Sequence, residues 1–430
     1  MGTVSASPAR RSPAVSALIV SSGNFLEMYD FMVYGYYAQA IAKAYFPAAD
    51  PYASTLATFA AFGAGFLMRP VGAVVLGALI DRIGRRTGLM VTLGLMAVGT
   101  ATIAATPGYA RIGLAAPLAV VIGRLVQGLS AGVELGGVSV YLAEMAGPRS
   151  KGFWVSWQSA SQQVAVVFAA LIGVTLAGRL DAAAMAAWGW RIPFILGCAL
   201  IPFLFLIGSQ LQETPAFAQR TERPSFAQIL ASVGANAPVI GLGAMMVTLT
   251  TVTFYLVTAY TPTYGTEVLH LSTRKAFGAT LCVGLLNFAL LPAAGALSDR
   301  VGRRPILVAA ALALLFTAYP VLHWLAAAPS FGRLLAAELW LAALYATYNG
   351  AMVVHLTEIM PAAARTSAFS LAYSLATALF GGFTPLICTW LIHATGDKAA
   401  PGLWVGAAAM LALAGVLGLR LARKRAPILN

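Results

Sequence analysis

Charge is what this sequence has least of. Only 10% of its 430 residues are Asp, Glu, Lys or Arg, and just 14 are acidic, where soluble domains carry about 25%. So few charges cannot cover the surface of a chain this long. A soluble enzyme, a disordered tail and a nucleic-acid-binding domain are thereby excluded. Cysteine is scarce as well: Cys198, Cys282 and Cys388 all fall inside apolar runs, where they read as small buried hydrophobes rather than disulfide or metal partners. Of the four histidines, His323, His355 and His393 lie at or near helix ends and read as satisfied interfacial groups. No metal-ligand cluster, nucleotide loop or catalytic triad is visible, so no cofactor and no enzyme activity are expected.

Apolar residues fill the space, at 60% of the chain. A helix crossing the hydrocarbon core needs about 20 of them in succession. Twelve such runs are present, at 15–42, 54–80, 88–106, 113–142, 153–178, 191–211, 236–262, 274–297, 305–327, 333–357, 366–393 and 401–421. None alternates like a barrel strand, so the expected class is an all-α membrane protein with twelve transmembrane helices. The first run follows Arg10 and Arg11 but continues through Glu27 and Asp30 without a small-residue cleavage site, which reads as a retained helix. With both termini cytoplasmic, 17 Lys and Arg fall on the inner side, eight on the outer side, and Arg69 and Arg124 within spans. That asymmetry is the topology signal. The net charge of +13 is therefore not a polyanion-binding signal.

The chain repeats itself. Gly77-Ala-Leu-Ile-Asp81-Arg82-Ile-Gly84-Arg85-Arg86 returns 218 residues later as Gly295-Ala-Leu-Ser-Asp299-Arg300-Val-Gly302-Arg303-Arg304. Glu144 has a counterpart in Glu358, and Phe153 with Trp157 in Phe369 with Tyr373. The expected organisation is a tail over 1–14, a six-helix half over 15–211, a linker over 212–235, a second half over 236–421 and a tail over 422–430. Two parallel halves around a central site are the architecture of an alternating-access transporter.

Ionisable groups inside such helices are expensive and by default functional. Glu27, Arg69 and Glu134 fall roughly 15–18 Å from the inner edge at ~1.5 Å per residue, with Asp30 a turn further out and Arg124 further still. Arg69 and Arg124 either lock helices through ion pairs with Glu27, Asp30 or Glu134, or meet substrate carboxylates while a neighbouring acid carries a proton. Competition lets both operate: a protonated acid releases its Arg to a substrate carboxylate. Through the repeat, Arg69 corresponds to Asn287, Arg124 to Glu338 and Glu134 to Tyr348, so neutral donors dominate the second half. The expected substrate-binding set is Arg69, Arg124, Gln127, Gln158, Gln162, Tyr255, Asn287, Tyr348, Asn349 and Tyr373. Asp30, Glu27 and Glu134 are the expected proton carriers. In the loops, Asp81 and Asp299 are suited to accept backbone N–H groups at a helix N-terminus, while Arg85 or Arg86 can pair with Glu144 and Arg303 or Arg304 with Glu358. This gating set would close the inner face.

The repeated loop resembles the signature of the major facilitator superfamily. Gly65-Phe-Leu-Met-Arg69-Pro70, Trp188-Gly-Trp-Arg191-Ile-Pro193-Phe and Glu213-Thr-Pro215-Ala-Phe217 are similar to its metabolite:proton symporter family. Gly23-Asn24-Phe-Leu-Glu27-Met-Tyr-Asp30-Phe, Ser156-Trp-Gln158-Ser-Ala-Ser-Gln162-Gln163, Tyr260-Thr-Pro-Thr-Tyr264-Gly, Tyr348-Asn349-Gly and Thr395-Gly-Asp397-Lys398 resemble its citrate and tricarballylate branch. The resemblance implies the major facilitator fold and proton-driven import of citrate or tricarballylate across a bacterial inner membrane. Its partners would be a small carboxylate, protons and the lipid bilayer, with no nucleic acid, and the chain would act as a monomer. It also places Asp81 against helix eleven, and Asp30 with Arg124 where sugar-porter relatives carry an Asp–Arg pair. A dicarboxylate, a shikimate-like acid or a betaine is the alternative substrate, and a non-transporting sensor the alternative class.

Overall fold

The computed structural model describes residues 13–83, 85–132, 134–209, 234–360 and 365–425. All regular structure among these residues is helical. The spans are, in order, Pro13–Tyr36, Pro51–Ile83, Arg85–Ala105, the pair Ala115–Ala131 and Glu134–Met145, Lys151–Arg179, Ile192–Ser209, Ala237–Val268, Thr273–Val301, Arg303–Ala327, Phe331–Ile359, Arg365–Thr395 and Pro401–Arg425. Seven of these are long and apolar enough to cross a membrane on length and composition alone. The chain is therefore all-α, with twelve spans as expected. In the fourth span the described helices Ala115–Ala131 and Glu134–Met145 follow one another, with Gly132 in the right-handed helical region. The expected linker over 212–235 and the tails over 1–14 and 422–430 lie outside the described residues except at their helical edges.

Small residues decide which helices meet. A Cβ on Gly128 would collide with the carbonyl oxygen of Gly65, and one on Gly72 with that of Leu129. The second and fourth spans thus cross backbone to backbone, the close approach that small residues permit in membranes. This crossing brings Arg69 and Arg124 into one layer. Between the halves, Gly152 of the fifth span meets Gly295 of the eighth in the same way.

Both ends of that interface are closed. At the end carrying the repeated loop, Asp299 accepts from the backbone N–H groups of Gly152 and Phe153 at 2.8 and 3.0 Å. A carboxylate there caps the fifth span and complements its dipole. Arg303 pairs with Asp299 at 2.7 Å and with Glu358 at 3.2 Å, tying the capped helix to the tenth span. At the opposite end, Phe277 of the eighth span packs on Tyr36, Tyr37 and Gly173 of the first half, and Tyr52 stacks on His393 at 3.8 Å.

Asp299→Asn keeps the size of this cap and removes its charge. A single thiol introduced as Ser156→Cys, in a chain lacking Cys198, Cys282 and Cys388, is then expected to label about fivefold faster, the effect of roughly 1 kcal/mol. Unchanged labelling would mean that Asp299 serves topology alone.

Candidate functional site

A narrow cavity lies between the halves, lined by Met28, Arg69, Gln162, Thr251, Phe254, Tyr255, Tyr345, Tyr373 and Thr377. First-half spans one, two and five face second-half spans seven, ten and eleven across it. Local irregularity helps to shape it: Thr377 opens a π-helical turn over Thr377–Gly381, and Tyr255 directly precedes another over Leu256–Tyr260. Such turns recur at functional sites. Pro70, next to Arg69, has no N–H to donate back along its helix.

Arg69 is the cation of this cavity. It pairs with Glu27 at 2.9 Å, both side chains nearly fully buried. The contact is a charge pair without hydrogen-bond alignment, and Arg69 Nε has no partner. The guanidinium is therefore held by charge while part of its donor fork stays free. Behind Glu27 the packing against Thr92, Met96 and Ser130 leaves only narrow gaps.

One phenyl ring serves two cations. The Arg69 guanidinium sits 4.6 Å from the centroid of Phe31, and that of Arg124 sits 4.3 Å from the same ring. Phe66 adds a second ring to Arg69 at 4.4 Å, while Tyr34 and Phe62 flank Arg124 at 4.6 and 5.1 Å. A desolvated cation–π contact contributes about 2 kcal/mol, which helps these charges reside away from water. None of these rings stands out in a sequence this apolar.

The expected contact between Asp30 and Arg124 takes another form. No direct ion pair joins them among the described residues. Arg124 Nη1 donates to Gln127 Oε1 at 2.7 Å, and Gln127 Nε2 donates to Thr100 Oγ1 at 3.0 Å and to Asp30 Oδ2 at 3.4 Å. The Thr100 hydroxyl completes the network on Asp30 Oδ2. Gln127 lies one turn after Arg124 on the same face, so its amide reaches the guanidinium first. Thr100 is one of four threonines in its apolar run, with Thr92, Thr102 and Thr106, and nothing in the sequence sets it apart from them.

Of the expected substrate residues, Arg69, Gln162, Tyr255 and Tyr373 line the cavity. Arg124 and Gln127 stand outside that lining, joined to each other. Tyr348 points elsewhere, its hydroxyl donating to the Met246 carbonyl at 2.9 Å because the tenth span packs on the seventh at that depth. Gln158, Asn287 and Asn349 are buried outside the lining, each with an amide atom lacking a partner. Glu144 is exposed, and the side chains of Asp81, Arg85 and Glu134 lie outside the described residues. Thr251 and Thr377, hydroxyls of the seventh and eleventh runs, also line it, and Tyr345 was not expected there.

Residues 16–231 and 218–420 match the model of the sugar (and other) transporter family. The chain belongs to this family. Its relatives include the citrate-proton symporter of Salmonella typhi, 55% identical over 96% of this chain and 98% of that protein. The citrate-proton symporter of Klebsiella pneumoniae is 56% identical over 92% and 89%. More distant is the alpha-ketoglutarate permease of Escherichia coli, at 34% over 84% and 83%. Among solved structures, a D-xylose-proton symporter superposes with a TM-score of 0.73 over 92% of this chain and 96% of that one, at 20% identity. The xylose transporter of E. coli in a partially occluded inward-open conformation reaches 0.74 over 93% and 95%, at 19%. That likeness is one of fold, the two-half major facilitator fold. This family member is a membrane transporter, not an enzyme.

Glu27→Gln leaves the Arg69 charge buried without its counter-charge, which costs about 3–5 kcal/mol. Thermal unfolding in detergent is expected to show a large loss for Glu27→Gln and a smaller one for the double variant Glu27→Gln/Arg69→Gln. Losses that simply add would contradict the pair.

Proposed function

We propose that this chain imports tricarboxylates, citrate foremost, together with protons across a bacterial inner membrane by alternating access. It acts as a monomer with both termini in the cytoplasm, so that the Asp299–Arg303–Glu358 cluster is its inner gate. The observation that carries the reading is Arg69. It is the cation in the lining of a cavity between the halves, paired to an acid, with donor capacity to spare. The relatives above 50% identity are named for citrate and protons, and the hydroxyls of Tyr255, Tyr373, Thr251 and Thr377 suit a ligand rich in oxygen.

The chemistry follows from exchange of partners. A proton on Glu27 removes the charge that holds Arg69. The freed guanidinium then takes a substrate carboxylate in the two-pronged geometry that arginine favours. When the inner gate opens, loss of the proton restores the Glu27–Arg69 pair and expels the carboxylate. Proton and substrate affinities are thus coupled, and by linkage each raises the other. Asp30 is a second carrier, its state relayed to Arg124 through Gln127. Coupling is needed because each charge moved against 100 mV costs about 2.3 kcal/mol, or roughly 7 kcal/mol for a trianion entering a negative interior.

In proteoliposomes, Arg69→Gln is expected to weaken citrate binding at least about tenfold, or ~1.4 kcal/mol, while the protein remains in the membrane. Glu27→Gln is expected to keep energy-independent exchange of labelled citrate but to accumulate about tenfold less under a one-unit pH gradient. Wild-type affinity in Arg69→Gln, or no saturable binding of labelled citrate by the wild-type chain, would refute the reading.

A further inference from the structure

Glu338 is a buried acid that the exchange at Arg69 does not use. It lies on the tenth span with 2% of its surface exposed, about 10 Å in from the start of that helix at Phe331 by the helical rise. None of the ion pairs among the described residues includes it, and its Oε2 has no hydrogen-bond partner. Among the described residues its hydrogen-bonding neighbour is the Thr261 side chain. That hydroxyl already donates its single proton to the Leu256 carbonyl at 3.2 Å. One shared hydroxyl is thus the whole polar compensation that Glu338 shows among the described residues, too little to offset a buried charge.

The surroundings supply no competing charge. On the seventh span, Tyr264 faces Glu338, with Cys388 of the eleventh span and Asp397 of the following loop beyond it. The Tyr264 hydroxyl donates to the Lys398 carbonyl at 2.8 Å, away from the acid. The eighth span has no charged residue between Lys275 and Asp299. On the ninth, Arg303 and Arg304 lie at the far end, and the titratable groups at this end are Tyr319 and His323, which stack on each other, with the Tyr319 hydroxyl donating to Asp397. Arg333, on the tenth span itself, donates to the Trp324 carbonyl at 2.9 Å and stacks on that ring. An ionised carboxylate in this setting is uncompensated, at a cost of several kcal/mol. The neutral acid avoids that cost.

The position also has a line to the cavity. Glu338 and the cavity residue Tyr345 are seven apart, so they share one face of the tenth span. Opposite, the seventh span runs from the cavity residues Thr251 and Tyr255 through Thr258 to Thr261, its helix loosened by π turns over Leu256–Tyr260 and Tyr264–Val268. We infer that Glu338 is a proton-binding site of the second half, loaded and unloaded through this hydroxyl-lined stretch of the seventh span. Resting on the symport reading, this adds a third buried acid to Glu27 and Asp30, matching the three positive charges that would neutralise a citrate trianion.

Two measurements on the full chain test it, and only the second depends on citrate. In infrared difference spectra of the purified protein, wild type minus Glu338→Gln should show the carbonyl stretch of a protonated carboxylic acid, and Thr261→Val should shift that band in the otherwise wild-type chain. The Thr261→Val comparison serves even if Glu338→Gln folds poorly. In proteoliposomes with the membrane potential clamped at zero, Glu338→Gln should accumulate about tenfold less citrate than wild type under a one-unit inward proton gradient, one proton fewer per substrate, with exchange retained. Absence of the protonated-acid band, or accumulation equal to wild type, overturns the assignment. A wild-type chain that shows the band but moves no citrate retains the proton site and loses the substrate reading.

Discussion

Two guanidinium groups against one phenyl ring set the terms for the rest of this molecule. Phe31 holds Arg69 and Arg124 at similar distances, and neither cation can reside in a membrane interior without compensation. Each solves the problem differently. Arg69 takes a direct carboxylate in Glu27. Arg124 takes an amide, Gln127, whose other end reaches the carboxylate of Asp30. The glycine-mediated crossing of the second and fourth spans exists in the same place because the two arginines, one on each helix, can share a ring only if those backbones touch.

This arrangement divides labour within the first half. The direct pair lies on the cavity and can exchange partners there. The bridged pair lies behind it, where a change of charge on Asp30 reaches Arg124 through an amide rather than through substrate. The second half contributes hydroxyls, tyrosines and the solitary acid Glu338, so the cavity is cationic on one side and neutral on the other. An anionic ligand would be drawn first to one half. Closing the second half over it then requires hydrogen bonding rather than further charge.

Much of the fold was legible because membrane helices declare themselves by length and the halves by repetition. The Asp299, Arg303 and Glu358 cluster follows from the repeated loop, and the common layer of Glu27 and Arg69 follows from helical rise alone. What periodicity does not supply is rotamer and reach. Gln127 intercepts Arg124 because it stands one turn away, and Tyr348 turns to a backbone carbonyl because the seventh span is packed against it. Nor can aromatic residues signal a cation box when 60% of the chain is hydrophobic. Glu338 was visible only as the repeat partner of Arg124. Its isolation is a property of packing, which the sequence does not display.

The central claim is that substrate and Glu27 compete for Arg69, with a proton deciding between them. Calorimetry of citrate binding, repeated in buffers of different ionisation enthalpy, counts the protons taken up as the ligand binds. The account predicts that Glu27→Gln takes up fewer protons than wild type, because the side chain that must be neutralised is already neutral. The same proton count in both proteins, above the pH at which citrate itself titrates, would contradict it.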